Sequence, residues 1–300
     1  MAPRVGFIGL GKMGKPMALN IVKKGFPLTV FDLAAEPVRE LKEYGAIVAD
    51  SPAAVGACSN IVITMLPNAG VVRTTVTGPD GLAESMPRDS VLVDMSTSDP
   101  GTTRYLAQLL ASGGVHVLDA PVAKGIPAAE DGTLTIMAGG DPPVFEKCSE
   151  VLKAMGKEIF YCGPLGAGHV VKIINNLLVG VLVPICAESL ALGVKAGVAA
   201  DTLMEVITSG SGNSFVLDRL IRRHLLRNDY SGVFPVDYML KDMQLALDLA
   251  RDHHVPLFFG ALAHQLYEGV RNKGKQDDCY VVVAQLVEEL AAAEVRTRHL

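Results

Sequence analysis

A chain of 300 residues that is 49% hydrophobic and 20% charged, with a net charge of −5, is long enough for one large domain or two ordinary ones and apolar enough to bury a sizeable core. It carries no block of like charge, which argues against a nucleic-acid partner or an anionic membrane surface, and the apolar runs at residues 61–67 and 177–186 are expected to be too short or too interrupted to cross a bilayer. The five cysteines (Cys58, Cys148, Cys162, Cys186 and Cys279) stand apart, without a CxxC or any metal-ligand spacing, so reduced thiols in a cytoplasmic protein, and no metal, are the expectation.

In chain order, residues 4–8 read as a buried strand that begins too early for a signal or transit peptide to be expected before it. The strand runs into Gly9-Leu10-Gly11-Lys12-Met13-Gly14 and then a helix over residues 15–24, so G-x-G-x-x-G stands in the strand–loop–helix context that gives it meaning. Gly9 permits the tight turn, Gly11 lets the backbone approach a pyrophosphate, and Gly14 lets the helix pack close to the strand. The helix start then offers N–H groups and a positive dipole end to the phosphates. A second strand, residues 28–31, ends in Asp32, about twenty residues beyond the fingerprint. Asp32 is placed to accept hydrogen bonds from the ribose hydroxyls of NAD and to repel the 2′-phosphate of NADP; its other reading is a helix cap.

The alternation continues. A helix over residues 36–44, a short strand at 46–49 and a helix opened by Ser51-Pro52 lead to a buried strand at 60–66, stopped by Pro67. Further strands are expected at residues 90–95 and 116–120, with a helix started by Asp99-Pro100 between them. Leu66, Pro67, Ser96, Thr97 and the loop after Ala120 then fall at the carboxyl edge of a parallel sheet, where ligands bind. That loop, Asp119-Ala-Pro-Val-Ala123-Lys124-Gly125, has backbone N–H groups and a lysine suited to a carboxylate; an ordinary loop with a solvated lysine is the alternative. A strand at 133–138, a helix at 143–155 and a strand at 157–161 close a first domain, residues 1–164.

From Gly166 the period changes and no convincing strand follows, which predicts an all-α second domain, residues 165–300. Helices are expected from about 167 to 196, from 202 to 208 with Asp201 as cap, and over 214–226, 236–251, 256–274 and 278–294; Arg222-Arg223 and residues 296–299 read as solvated surface. In the first of these helices Lys172, Asn175 and Asn176 lie within one turn of each other amid Val170, Val171, Ile173 and Ile174. Polar groups in such a stretch are costly to bury unless something polar meets them; the alternative is that Lys172 snorkels to solvent.

Four motifs in one order, Gly9-Leu-Gly-Lys-Met-Gly14, Asp119-Ala-Pro-Val-x-x-Gly125, Gly166-x-Gly-x-x-x-Lys172-x-x-Asn-Asn176 and Lys241-Asp242, together resemble the β-hydroxyacid dehydrogenase family over nearly the whole chain. The resemblance implies an α/β Rossmann domain with a mostly parallel, doubly wound sheet, joined by a long helix to an all-α domain serving substrate closure and oligomerisation as a homodimer or homotetramer. It implies NAD-dependent interconversion of a short β-hydroxy acid and its semialdehyde, as in 3-hydroxyisobutyrate dehydrogenase. Lys172 is then the catalytic acid/base, Asn176 a partner of lysine and substrate, and Lys241 a residue near the nicotinamide; Leu66, Pro67 and Thr97 line the cofactor site. The chain departs from the usual Ser-Gly-Gly at Ala123-Lys124-Gly125, which points to a second anionic group on the carboxylic acid substrate (sulfolactaldehyde, 2-formylglutarate or tartronate semialdehyde) or to Lys124 standing in for the serine. Tyr238 also departs, since leucine is usual there, and puts a bulky ring toward the substrate. A non-catalytic NAD-binding scaffold is the reading from another class, and the presence of Lys172 argues against it.

Overall fold

The computed structural model describes residues 2–232 and 234–297. Its central sheet has nine strands: β1 (Val5–Ile8), β2 (Leu28–Phe31), β3 (Ile47–Val48), β4 (Ile61–Thr64), β5 (Val91–Asp94), β6 (His116–Asp119), β7 (Val122–Ala123), β8 (Leu134–Gly139) and β9 (Gly156–Gly163). They lie in the order β3-β2-β1-β4-β5-β6-β8-β7, with β9 on β8. The first six are parallel, β8 is antiparallel to β6 and β7, and β9 is parallel to β8. The order reverses at β1, so the crevice beside β1 and β4 is the topological switch point of a doubly wound sheet.

Seven helices connect these strands: α1 (Gly14–Lys23), α2 (Ala35–Glu43), α3 (Pro52–Cys58), α4 (Ala69–Thr77), α5 (Pro100–Ala111), α6 (Gly125–Glu130) and α7 (Pro142–Met155). Strand side chains alternate between two helical layers. Phe7, Ile61, Ile63, Val91 and Val93 pack with Met17, Ile21 and Met155 on one face. Ile8, Val62 and Leu92 pack with Val55, Val72, Leu106 and Leu110 on the other. Caps fall where local chemistry puts them: Ser51 accepts from the N–H of Ala54, and Asp99 from that of Thr102. Helix α4 was not anticipated, yet it has the same kind of signal in Asn68, whose side chain accepts from the N–H of Val71. Likewise β7 and α6 occupy what reads as loop around Ala123–Gly125.

Two compact units divide the chain, residues 1–172 and 173–300. The long helix α8 (Ala167–Lys195) therefore gives its first turn and a half to the first unit and the rest to the second. By length and composition alone α8 is apolar enough to cross a membrane, contrary to the expectation from its interrupted apolar run. The second unit continues with α9 (Ala200–Ser209), a π-helical turn over Val216–Ile221, α10 (Val236–Asp252), α11 (Phe258–Arg271) and α12 (Val283–Ala291). Its core joins Val183 and Leu190 to Met204, Leu217, Met239, Met243, Tyr267 and Val283. Helix α9 begins one residue before Asp201, which sits in its first turn instead of capping it. Arg296 is half-buried and pairs with the buried Glu288, not the solvated end expected; Arg298 and His299 lie outside the described residues.

Candidate functional site

The glycine loop leaves the carboxyl end of β1. Gly9 has φ +96°, and a Cβ there would lie 2.3 Å from the carbonyl oxygen of Met65; at Gly14 it would meet that of Gly9 at 1.8 Å. Only glycine lets α1 start this close to the strand. Around Gly11 a Cβ would find nothing within 4 Å, so this backbone is open to close approach. The Leu10 side chain is buried in the core, Met13 is the N-cap of α1 and Lys12 is exposed.

Asp32 holds this loop from the end of β2. Its Oδ2 accepts from the N–H of Leu10 at 2.5 Å and its Oδ1 from the N–H of Ala34 at 2.7 Å. A carboxylate has about four acceptor positions, so the two bonds leave capacity for ribose hydroxyls. The cap of α2 is Ala34, with no side-chain bond, so Asp32 acts on the loops and not as a helix cap. Open backbone at Gly11, a helix start at Gly14 and a half-buried carboxylate beside them suit the phosphates and ribose of a dinucleotide.

The neighbouring strand ends are knitted together. Asp94, the last residue of β5, accepts from the Thr64 hydroxyl at 2.9 Å and the Ser96 N–H at 3.1 Å, and the Ser96 hydroxyl accepts from the Leu66 N–H at 2.9 Å. Leu66 and Thr97 are half-buried and Pro67 exposed along this edge. Asp119, the last residue of β6, accepts from the N–H groups of Gly166 (2.6 Å) and His169 (2.8 Å) at the start of α8. Burial pushes its carboxyl up, while His169 and those N–H donors pull the other way. The His169 ring is fully buried, with Nε2 3.6 Å from Oδ2 of Asp94. The next turn of the helix carries Lys172, only 8% exposed, which is incompatible with a side chain reaching freely into solvent.

Four residues on, in the second unit, Asn176 is 6% exposed and its amide donates to Oδ2 of the buried Asp242 at 2.5 Å, while its carbonyl oxygen accepts from Asn175 at 3.0 Å. Oδ1 of Asp242 lies 2.9 Å from Nζ of Lys241. Asn176, Asp242 and Lys241 are thus one polar group on α8 and α10, whereas Asn175 faces outward. Tyr238 is exposed and meets Phe234 edge-on at 5.9 Å.

The Ala123-Lys124-Gly125 segment behaves differently from its sequence reading. Lys124 adopts φ +82°, a left-handed conformation natural to glycine and strained for lysine, and its ammonium is held by Glu158 at 2.8 Å, which also accepts from Thr135. The cation is not a bare anion receptor.

The sequence reading assigned no role of their own to Asp94, Asp119, His169 and Asp242. For Asp94 and Asp119 the available signal was an Asp as the last residue of a buried strand, whereas Asp242 lies within α10.

Two family models match: the NAD-binding domain of 6-phosphogluconate dehydrogenase over residues 4–163, and the NAD-binding model of NADP-dependent 3-hydroxyisobutyrate dehydrogenase over residues 166–287. The chain belongs to the 3-hydroxyisobutyrate dehydrogenase family of β-hydroxyacid dehydrogenases. It is 40% identical over 292 residues, 97% of each chain, to the 2-(hydroxymethyl)glutarate dehydrogenase of Eubacterium barkeri. It is 36% identical over 291 residues to mouse mitochondrial 3-hydroxyisobutyrate dehydrogenase, covering 95% of this chain and 87% of the mouse one. Mycobacterium tuberculosis 3-hydroxyisobutyrate dehydrogenase, solved with L-serine, superposes with a TM-score of 0.89 at 30% identity, over 96% of this chain and 99% of that one. The family is one of NAD-dependent dehydrogenases acting on CH–OH groups of hydroxy acids, and the match to the NAD-binding model spans the Gly9–Gly14 loop.

Proposed function

We propose that this member of the 3-hydroxyisobutyrate dehydrogenase family interconverts a short β-hydroxy acid carrying a primary alcohol and its semialdehyde, with NAD preferred over NADP and Lys172 as the acid/base. One observation carries this reading. The glycine loop leaves the carboxyl end of β1, and the helix bearing the buried Lys172 is hydrogen-bonded to the carboxyl end of β6 through Asp119 and rests its His169 ring 3.6 Å from Asp94 at the end of β5. Cofactor loop and lysine helix therefore start from one edge of one sheet, where open α/β sheets bind ligands.

A bound nicotinamide supplies the hydride acceptor for oxidation and the donor for reduction. The chain's own part is to move the proton and hold the carbon in place. Lys172 takes the hydroxyl proton as the alcohol is oxidised and returns it to the aldehyde oxygen in reverse, help typically worth ~10²–10⁴-fold in rate. Asn176, its amide fixed by Asp242 and Asn175, orients the lysine and the substrate hydroxyl. Backbone at Ala123–Gly125 receives the carboxylate, and the family resemblance supports roles for Lys241 toward the nicotinamide and for Tyr238 toward the substrate. Leu66, Pro67 and Thr97 flank the cofactor. Asp32, a fixed negative charge beside the ribose position, favours NAD because a 2′-phosphate there would be repelled.

A dianionic substrate is the second reading. It is supported by the relative named 2-(hydroxymethyl)glutarate dehydrogenase and by Lys124, whose ion pair with Glu158 a second substrate anion would exchange. For assembly, exposed Val171, Leu178, Ile185 and Leu192 recur at every second turn of α8 and form one apolar stripe, which supports self-association as a homodimer or homotetramer through this helix. The free cysteines support a cytoplasmic setting.

The deciding experiment follows NADH absorbance with 3-hydroxyisobutyrate, 3-hydroxypropionate, D-glycerate, 2-(hydroxymethyl)glutarate and sulfolactaldehyde, each with both nicotinamides. Turnover of a hydroxy acid in this panel with NAD is expected. Silence throughout, with NADH still bound, would refute the substrate class.

A further inference from the structure

Space around the two glycines of Gly166-x-Gly168 is tight. A Cβ on Gly168 would lie 2.1 Å from the carbonyl oxygen of Met137 and 2.8 Å from Oδ2 of Asp119; one on Gly139 would lie 2.6 Å from Oδ1 of Asp119 and 2.9 Å from the Ala167 nitrogen. Glycine at these two places lets the first turn of α8 press directly onto the ends of β6 and β8. The contact is polar: each oxygen of the fully buried Asp119 takes one backbone N–H of that turn, from Gly166 and from His169. These are N–H groups that a helix cannot satisfy internally. A carboxylate there also complements the positive end of the helix dipole. The capping acid comes from a strand far away in sequence, so it fixes where the helix starts in space and how it is rotated about its axis. The His169 ring, buried against Asp94, braces the same turn from β5.

We infer that Asp119 is a positioning residue for Lys172: a two-pronged clamp on the first turn of α8 that sets the height and rotation of the lysine one turn further along. The helix rises about 1.5 Å per residue, so Lys172 follows the clamped His169 N–H by about 4.5 Å, with no hinge between them. A displacement of the order of 1 Å at the acid/base is enough to lower turnover by about 10²-fold. The inference rests on the proposed role of Lys172.

The test uses Asp119→Asn in the full-length protein, which keeps one accepting oxygen and turns an N–H donor against the other backbone N–H. Turnover should fall by about 10- to 100-fold while the NADH dissociation constant stays within about threefold. In a Lys172→Ala background the same change should lower residual turnover no further, since Asp119 acts through the lysine; an independent structural role would multiply. Hydrogen exchange should quicken in the peptide spanning residues 164–176 and not in β1 or α1. Turnover within threefold of the parent, or a multiplicative loss with Lys172→Ala, would overturn the inference. If the parent turns over nothing in the panel, the substrate reading has failed instead, and unchanged exchange in residues 164–176 would then overturn the clamp by itself. Should Asp119→Asn not fold, Gly139→Ala displaces the carboxylate while keeping its charge and is expected to give the same pattern.

Discussion

Lys124 and Glu158 form an ion pair at 2.8 Å across the segment where the family usually has Ser-Gly-Gly. The pair joins a lysine in a left-handed backbone conformation to a glutamate whose carboxyl is held below its ordinary range by the Lys124 and Thr135 hydrogen bonds. If a second substrate anion takes the place of Glu158, Lys124→Ala should raise KM about 10-fold for dianionic acids and leave 3-hydroxyisobutyrate unchanged, and Glu158→Gln should lower KM for the dianions. Equal KM values across the panel would make Lys124 a surface residue. Lys124→Gly should not lower the melting temperature, because the left-handed region costs a non-glycine residue roughly 1–2 kcal/mol.

Removing the amine of Lys172 is expected to cut turnover by ~10²–10⁴-fold with NADH affinity within a few-fold of the parent. Fluorescence titration beside steady-state rates checks this. Comparable loss of both would mean that Lys172 supports the fold and not the reaction.

Asp32 tethers Leu10 and is proposed to receive the ribose hydroxyls. Asp32→Ala should therefore weaken NAD about 10-fold and narrow the preference over NADP, read as the ratio of kcat/KM for the two cofactors. An unchanged ratio would leave Asp32 as a loop tether alone.

Asp242 is 1% exposed and holds both Asn176 and Lys241. Truncation to alanine removes the acceptor of the buried Asn176 amide, which costs about 1–3 kcal/mol and should appear as a lower urea midpoint with an unchanged slope. An unaltered midpoint would show that solvent replaces the carboxylate.

The raised Asp119 carboxyl has a stability signature of a definite sign. Its folded value lies above the unfolded 3.8, so the fold binds its proton more tightly. Its contribution is complete below 3.8 and is lost as pH rises to the folded value. Relative to the parent, Asp119→Asn should therefore lose the least stability at the upper end of that window. A difference in melting temperature that is flat from pH 4 upward would contradict the shift.

How much could be read in advance varied with the range of the interaction. The strand–Gly9-x-Gly11-x-x-Gly14–helix unit, the Asp99 and Ser51 caps and the long helix bearing Lys172 are local patterns, and the structure places them within a residue or two of expectation. The clamp by Asp119 is not local: it joins residues 47 and 50 positions apart, and no periodicity announces it. The same holds for Asn176 and Asp242, separated by 66 positions.

By itself the sequence determined most element types, though not α4, β7 or α6, together with the alternation that demands a parallel sheet, the glycine-loop motif and the candidate acid/base, because each follows from side chains within a few residues of one another. Only the tertiary structure decided that Lys124 is held by Glu158 in a glycine-like conformation, that Asp32 ties two loops together, and that Asp94 and Asp119 converge on the first turn of the lysine helix. Those are questions of which buried polar group meets which. The answer depends on strand order and close backbone approach, and the chain settles both only when it packs.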